Sequence, residues 1–211
     1  MRRLIVDARQ PDVEILDVAA GTIRAGGIVA IPTDTLYGLA VDPFQVDAVA
    51  RVFVVKDREA ARSLPLIAAD AAQVIGCIGA LPALAGRLAA RFWPGPLTLV
   101  VSAPPTLAEG VTGGTGTVGV RVPAHEVARA LCRRYGVPLT ATSANRSGAE
   151  PSADPDDIER DLGDRIDLLV DAGLTPGGPP SSIVDVTGLV PRLIRAGAVP
   201  WDLIVACARA E

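Results

Sequence analysis

Three observations place this 211-residue chain among the mixed α/β proteins. Short β-branched runs alternate with stretches of helical period. Two apolar runs end directly in turns rich in hydroxyl side chains. No repeat or low-complexity tail interrupts the alternation. Taken in order, Val13, Leu16, Ala20 and Ile23 recur at helical spacing, and Gly26-Gly27 stops that helix. Ile28-Val29-Ala30-Ile31 reads as a buried strand ended by Pro32. Val46, Val49, Val52 and Phe53 mark a second helix leading to Lys56. Residues 66–68 form a strand pattern and 81–91 a helical one. Further strands are expected at 97–101, 118–122, 139–142, 168–170, 183–186 and 193–194, and helices at 126–134 and 156–162. The two loosest stretches, 104–117 and 173–180, are rich in Gly, Pro and Thr. They read as connections, or as lids over a site.

A chain of this length fits one domain over 1–211, with two small lobes as the alternative, and buries roughly 70% of its unfolded surface without a staple. The formal charge of −4 gives no global field toward nucleic acid or membrane. Cys77, Cys132 and Cys207 are odd in number and far apart, which suits reduced, mostly buried thiols in a cytosolic protein. The N-terminus meets Asp7 after three apolar residues, too short for a signal core, and no run approaches a membrane span. A cytoplasmic protein is expected.

Of the 20 cationic side chains, 19 are arginine, and the only lysine is Lys56. In a chain so depleted of lysine, a retained one marks a place that needs a compact ammonium rather than a planar fork. The only asparagine, Asn145, and the only histidine, His125, also fall in polar stretches punctuated by Gly or Pro. Compositional bias leaves stragglers somewhere, but three in such stretches favour function.

Thr33, Thr35 and Tyr37, in Pro32-Thr33-Asp34-Thr35-Leu36-Tyr37-Gly38-Leu39, follow a strand. Their hydroxyls therefore fall at a carboxyl end, where open α/β sheets bind ligands. Lys56-x-Arg58, with Arg62 a turn further on, suits a polyphosphate, although cations at a helix end also offset the macrodipole. The corner 92–98, Phe-Trp-Pro-Gly-Pro-Leu-Thr, reads as mainly architectural. Gly114 to Gly119 spells G-x-G-x-x-G, yet a β-type alternation follows where a dinucleotide fingerprint opens a helix, so a Rossmann reading fails. Ser143 and Asn145, in Thr142-Ser143-Ala144-Asn145-Arg146-Ser147-Gly148, point the same way if their strand continues. One histidine cannot build a multi-His metal site, and neither a P-loop nor a G-x-S-x-G elbow occurs.

Together these stretches resemble the YrdC/TsaC family of threonylcarbamoyl-AMP synthases. The resemblance rests on 32–38, Lys56-x-Arg58, 93–98, Arg121-x-Pro123-x-His125, 143–148 (Ser-Ala-Asn-x-Ser-Gly), 181–185 (Ser-Ser-Ile-Val-Asp) and Arg195-x-Gly197. These motifs lie in the family's order within a core of about 15–200, and the short form without an added C-terminal domain is expected. The resemblance implies a twisted mixed sheet with flanking helices and a concave basic cavity. It implies an enzyme, a nucleotidyltransferase that makes threonylcarbamoyl-AMP and pyrophosphate from L-threonine, bicarbonate and ATP. Downstream proteins would then transfer the group to tRNA. By the same resemblance Lys56 and Arg58 hold the triphosphate with Mg²⁺ bridging it, and no metal ligand is expected from the protein. Thr33, Thr35, Tyr37, Arg121, Ser143 and Ser181 take the amino acid and its carbamate. Thr117, Asn145, Ser152 and Arg195 take the nucleotide.

Some positions depart from the pattern. Glu59 replaces a proline, Pro180-Ser181-Ser182 replaces Glu-Ser-Thr, and a frequent histidine falls on Ala68 or Ala69. Two other readings compete: a non-catalytic RNA-binding module on the same face, making a weak RNA contact, and a divergent paralogue that forms another carbamoyl-adenylate. The acidic net charge weighs against the first. Ser143-x-Asn145 beside Lys56-x-Arg58 weighs against the second.

Overall fold

The computed structural model describes residues 1–57 and 63–209, so Arg58, Glu59 and Arg62 lie outside the described residues. In chain order the elements are β1 (Arg2–Ile5), α1 (Val13–Arg24), β2 (Val29–Ile31), β3 (Gly38–Ala40), α2 (Val46–Val55) and β4 (Leu66–Ile67). Next come α3 (Ala71–Ile78), α4 (Ala83–Phe92), β5 (Leu97–Ser102), α5 (Glu109–Thr112), β6 (Thr117–Arg121) and α6 (Glu126–Tyr135). The last are β7 (Leu139–Thr140), β8 (Thr142–Ser143), α7 (Pro155–Leu162), β9 (Leu168–Asp171), β10 (Ser182–Asp185), β11 (Arg192–Arg195) and α8 (Trp201–Arg209).

The mixed α/β class expected from the sequence is the observed one, but the strands divide between two sheets. One sheet runs β1-β9-β2-β3-β8, and the other β11-β10-β5-β6-β4-β7. In the first, β1, β9 and β2 are parallel, and β3 runs antiparallel to both its neighbours, β2 and β8. In the second, β10 pairs parallel with β5, β5 antiparallel with β6, and β6 parallel with β4.

Period-2 alternation explains how the first sheet is buried on both faces. Ile28 and Ala30 enter a large core shared with Leu97, Leu99 and Val120 of the second sheet. Val29 and Ile31 face the opposite way, into a smaller core with Leu16 and Ile23 of α1 and Leu131 of α6. Helix starts follow from side-chain caps: Asp12 accepts from the Glu14 amide, Asp70 from Gln73 and Asp154 from Asp156. Helix α6 stops at Gly136, whose φ of 101° suits glycine.

The expected strand over 139–142 is broken. Residues 139–140 pair with β4 in the second sheet and 142–143 with β3 in the first, so the chain changes sheets at Ala141. A two-sided apolar run does not say which neighbour takes each residue. The short strands β1 and β3 and the helices α3, α5 and α8 were not anticipated from periodicity. The Asp70 cap was a legible signal for α3.

Cys132 is buried and Cys77 and Cys207 partly so, all three unbridged, and burial pushes the Cys132 thiol up to about 12. Among the described residues no helix is long and apolar enough to cross a membrane.

Candidate functional site

A cavity of about 370 Å³ opens where the two sheets approach each other. Small-molecule sites occupy volumes of roughly 300–1,000 Å³. The first sheet contributes Thr33, Thr35, Tyr37, Gly38 and Ser143. The second contributes Thr98, Gly119, Arg121, Ser181 and Arg195. No carboxylate lines this cavity among the described residues.

The turn from β2 to β3 is held by its own hydroxyls. Thr33 Oγ1 donates to the Leu36 carbonyl at 2.7 Å and lies 3.1 Å from Thr35 Oγ1. The loop after β9 pins the turn from behind: the Thr35 carbonyl accepts from the Gly177 amide at 2.8 Å and from Thr175 Oγ1 at 2.9 Å. Tyr37 belongs to the cavity wall, but its hydroxyl donates to the Gly173 carbonyl at 2.8 Å and accepts from the Ala172 amide at 3.2 Å. Burial raises its pKa well above the ordinary range, with the Ala172 amide opposing. The phenol therefore serves the scaffold rather than offering a hydroxyl to the cavity.

Arg121, at the end of β6, is 7% exposed. Its Nε donates to the Gly95 carbonyl at 3.1 Å, and its NH2 pairs with Asp34 Oδ1. The Gly95 amide in turn donates to the Val122 carbonyl at 2.8 Å, locking the corner against the strand end. Only glycine fits there, since a Cβ would run into the Phe92 carbonyl. The corner read as architectural thus seats a site arginine. Burial pushes Arg121 below its ordinary pKa, and Asp34 opposes that shift.

Arg195 reaches the same cavity from β11, donating through Nε and NH2 to the Ser181 carbonyl at 3.1 and 2.7 Å. Burial lowers its pKa, and the Arg121 charge adds to the effect. Two guanidiniums near enough to repel each other, only Arg121 paired with a carboxylate, favour an anionic guest. Ser181 Oγ lies 2.9 Å from Thr98 Oγ1 and 3.2 Å from Arg195 NH2. Sequence reading missed Thr98 as a site residue. The signal was there: Thr98 is a hydroxyl between Leu97 and Leu99, facing away from the core that buries both leucines.

Lys56 is 3% exposed, so it is not a solvated helix-end cation that merely offsets the macrodipole. Its ammonium donates to the carbonyls of Ser143 and Asn145 (2.7 Å for Asn145) and to Asn145 Oδ1 at 3.0 Å. Its own carbonyl accepts from the Ser147 amide at 2.7 Å. A guanidinium is too broad to gather these oxygens at one point, which accounts for a lysine in an arginine-rich chain. Lys56 does not line the cavity; it clamps the segment that carries Ser143 into it.

Beyond Ser143 the strand does not continue, so Ser143 and Asn145 meet through a turn, Oγ to Oδ1 at 2.5 Å. The Asn145 amide nitrogen donates to the Arg146 and Ala149 carbonyls, at 3.0 and 2.6 Å. Asn145 is thus outside the lining, as are Ala68 and Ala69, both 1% exposed. Thr117 is also outside it, its hydroxyl 2.9 Å from that of Thr115 at the far end of β6. Ser152 lines a second cavity of about 660 Å³ that shares Leu36, Pro151 and Pro180 with the first. Its hydroxyl donates to Asp157 at 2.7 Å.

The two-sheet fold and the arginine- and hydroxyl-lined cavity between the sheets define a small-molecule-binding α/β domain. A family model, Sua5/YciO/YrdC, described as "Telomere recombination", matches residues 21–197, and the chain belongs to that family. The chain is 39% identical to threonylcarbamoyl-AMP synthase of Pyrococcus abyssi, over 89% of its own length and 55% of the relative's. It is 41% identical to threonylcarbamoyl-AMP synthase of Halorhodospira halophila, over 79% of its length and 87% of the relative's. A crystal structure of P. abyssi Sua5 complexed with L-threonine superposes with a TM-score of 0.93 at 36% identity, covering 98% of this chain and 61% of that one. The chain therefore spans little more than half of the Pyrococcus relative and most of the Halorhodospira one.

Proposed function

We propose that the chain is a cytoplasmic threonylcarbamoyl-AMP synthase. It would take L-threonine, bicarbonate and ATP to threonylcarbamoyl-AMP and pyrophosphate, the donor for tRNA modification by separate transfer proteins. The observation that carries this reading is the convergence of Thr35, Ser143 and Ser181 with Arg121 and Arg195 on one cavity. It occurs in a family where a relative's structure is a complex with L-threonine.

In this reading the threonine carboxylate and its carbamate face the Arg121 guanidinium, and a hydroxyl among Thr33, Thr35, Ser143 and Ser181 meets the side-chain oxygen. The carbamate oxygen attacks the α-phosphorus of ATP, a P–O bond forms, and the bond to pyrophosphate breaks. The protein supplies no nucleophile, so its contribution is orientation and fixed positive charge where charge builds up. Thr117, Asn145, Ser152 and Arg195 are assigned to the nucleotide by family resemblance. Lys56 contributes through the turn it holds, and Arg58, two residues on, takes the phosphates. Magnesium would arrive on the triphosphate and offset its charge when bound. The cavity wall offers no carboxylate to hold the ion, and no group of three metal ligands occurs among the described residues, so no step is assigned to it.

The test is pyrophosphate release with each substrate omitted in turn, and with serine or valine replacing threonine. Release should require ATP, bicarbonate and threonine together. Valine should fall by about 10⁴ and serine by only ~10–200-fold, because valine strands a buried hydroxyl that threonine satisfies. Valine turning over as well as serine would overturn the assignment of these hydroxyls to the amino acid.

A further inference from the structure

Among the described residues, two buried side-chain polar atoms lack a hydrogen-bond partner: Asp34 Oδ2 and His125 Nδ1. Both residues stand beside Arg121: Asp34 pairs with its guanidinium, and His125 follows it by four residues at the start of α6. The Asp34 carboxylate acts on the His125 imidazole, raising its pKa against the larger lowering effect of burial, and Glu126 of the ring's own helix adds to Asp34. Buried polar atoms are almost always paired, so two orphans within reach of each other's charge call for an explanation.

We propose that His125 is a positioning residue for Arg121 and acts through Asp34. Asp34 is nine-tenths buried on the β2–β3 turn and holds Arg121 through Oδ1 alone. A carboxylate tied by one oxygen can rotate about its terminal torsion and carry the guanidinium with it. A donor on the second oxygen removes that freedom. His125 stands at the start of α6, four residues past Arg121 at the end of β6, and makes no capping bond to its own helix. Its Nδ1 is thus free of local duties.

A neutral imidazole carries one N–H. With the proton on Nδ1 the ring offers the donor that Asp34 Oδ2 lacks, delivered by a side-chain rotation or through a shared water. With the proton on Nε2 both buried atoms stay orphaned. The arrangement therefore selects the Nδ1–H tautomer. The resulting chain, His125 to Asp34 to Arg121 to the Gly95 carbonyl, fixes the guanidinium before an anion arrives. Its effect belongs to binding of the anion, so KM should respond and kcat should not. That kinetic consequence rests on the function proposed above; the tautomer and the ordering of Arg121 do not.

His125 is the only histidine, so a ¹⁵N-labelled sample gives a single imidazole to read. At pH 7.5 the wild-type ring should be neutral with its proton on Nδ1; a proton on Nε2 overturns the proposal. The Arg121 Nε–H signal, assigned by its loss in Arg121→Lys, should be sharp and slow to exchange. It should broaden in His125→Ala and recover in His125→Asn, whose amide returns a donor near the Nδ1 position. An unchanged signal in His125→Ala overturns the proposal, whether or not the chain acts on threonine. In kinetics His125→Ala should raise the KM for threonine about tenfold with kcat preserved, the loss of one charge-assisted hydrogen bond, and His125→Asn should restore it. Equal KM values in wild type and His125→Ala count against the proposal. Should His125→Ala fail to fold, the wild-type tautomer decides.

Discussion

Replacing Lys56 by methionine keeps the buried stem and removes the ammonium. The Asn145 side-chain oxygen keeps the Ser143 hydroxyl at 2.5 Å, but the Ser143 and Asn145 carbonyls lose the donor they share. The Ser143 carbonyl keeps the Asn145 backbone amide at 3.0 Å, so only the Asn145 carbonyl is left without its donor, at ~1–3 kcal/mol. Loss of the charged bond to the Ser143 carbonyl adds to that and relief of the ammonium's desolvation offsets part of it, leaving about 2 kcal/mol. Urea unfolding followed by the fluorescence of Trp93 and Trp201 should then show a midpoint lower by about 0.7 M, given a slope near 3 kcal/mol/M. Threonine binding should weaken as well, because Ser143 lines the cavity only while its turn is held. A Lys56→Met midpoint within about 0.2 M of wild type would refute the clamp, since buried acceptors stripped of a charged donor cannot be that cheap.

Gly119 faces the cavity with ordinary backbone angles, and an alanine Cβ there would lie 3.0 Å from Thr98 Cγ2 and 3.5 Å from Pro65 Cβ. Gly119→Ala should push Thr98 off Ser181 and weaken threonine binding by about tenfold while leaving the thermal midpoint near wild type, as calorimetry can read; undiminished binding sinks this. Stability should also depend on pH through His125, whose folded pKa lies below the 6.5 of the unfolded chain because burial disfavours the charged ring. Between the two values the unfolded state holds more protons, so stability falls as pH drops below 6.5. Asp157, lowered from 3.8 by the Ser152 hydroxyl and then by Arg160, acts only at more acid pH. The urea midpoint should decline from pH 7 to 5 in wild type and stay flatter in His125→Asn; parallel slopes refute it.

Local pattern was enough for the α/β class, the five helices α1, α2, α4, α6 and α7, and most strand centres, because burial periodicity is set by residues a few positions apart. It also singled out Lys56, His125 and Asn145, since departure from compositional bias is visible without coordinates. What Lys56 does was not visible. Its acceptors, 87 and 89 residues further on, become neighbours only when the chain changes sheets at Ala141. The same holds for Thr98, whose hydroxyl becomes a cavity group once Ser181 and Arg195 are brought beside it by β10 and β11. The Tyr37 hydroxyl likewise looked available until the loop after β9 claimed it. Which residues carry polar groups is written locally. Which of those groups are already satisfied depends on contacts distant in sequence, and a hydroxyl or ammonium spent on the scaffold reads the same, residue by residue, as one offered to a substrate.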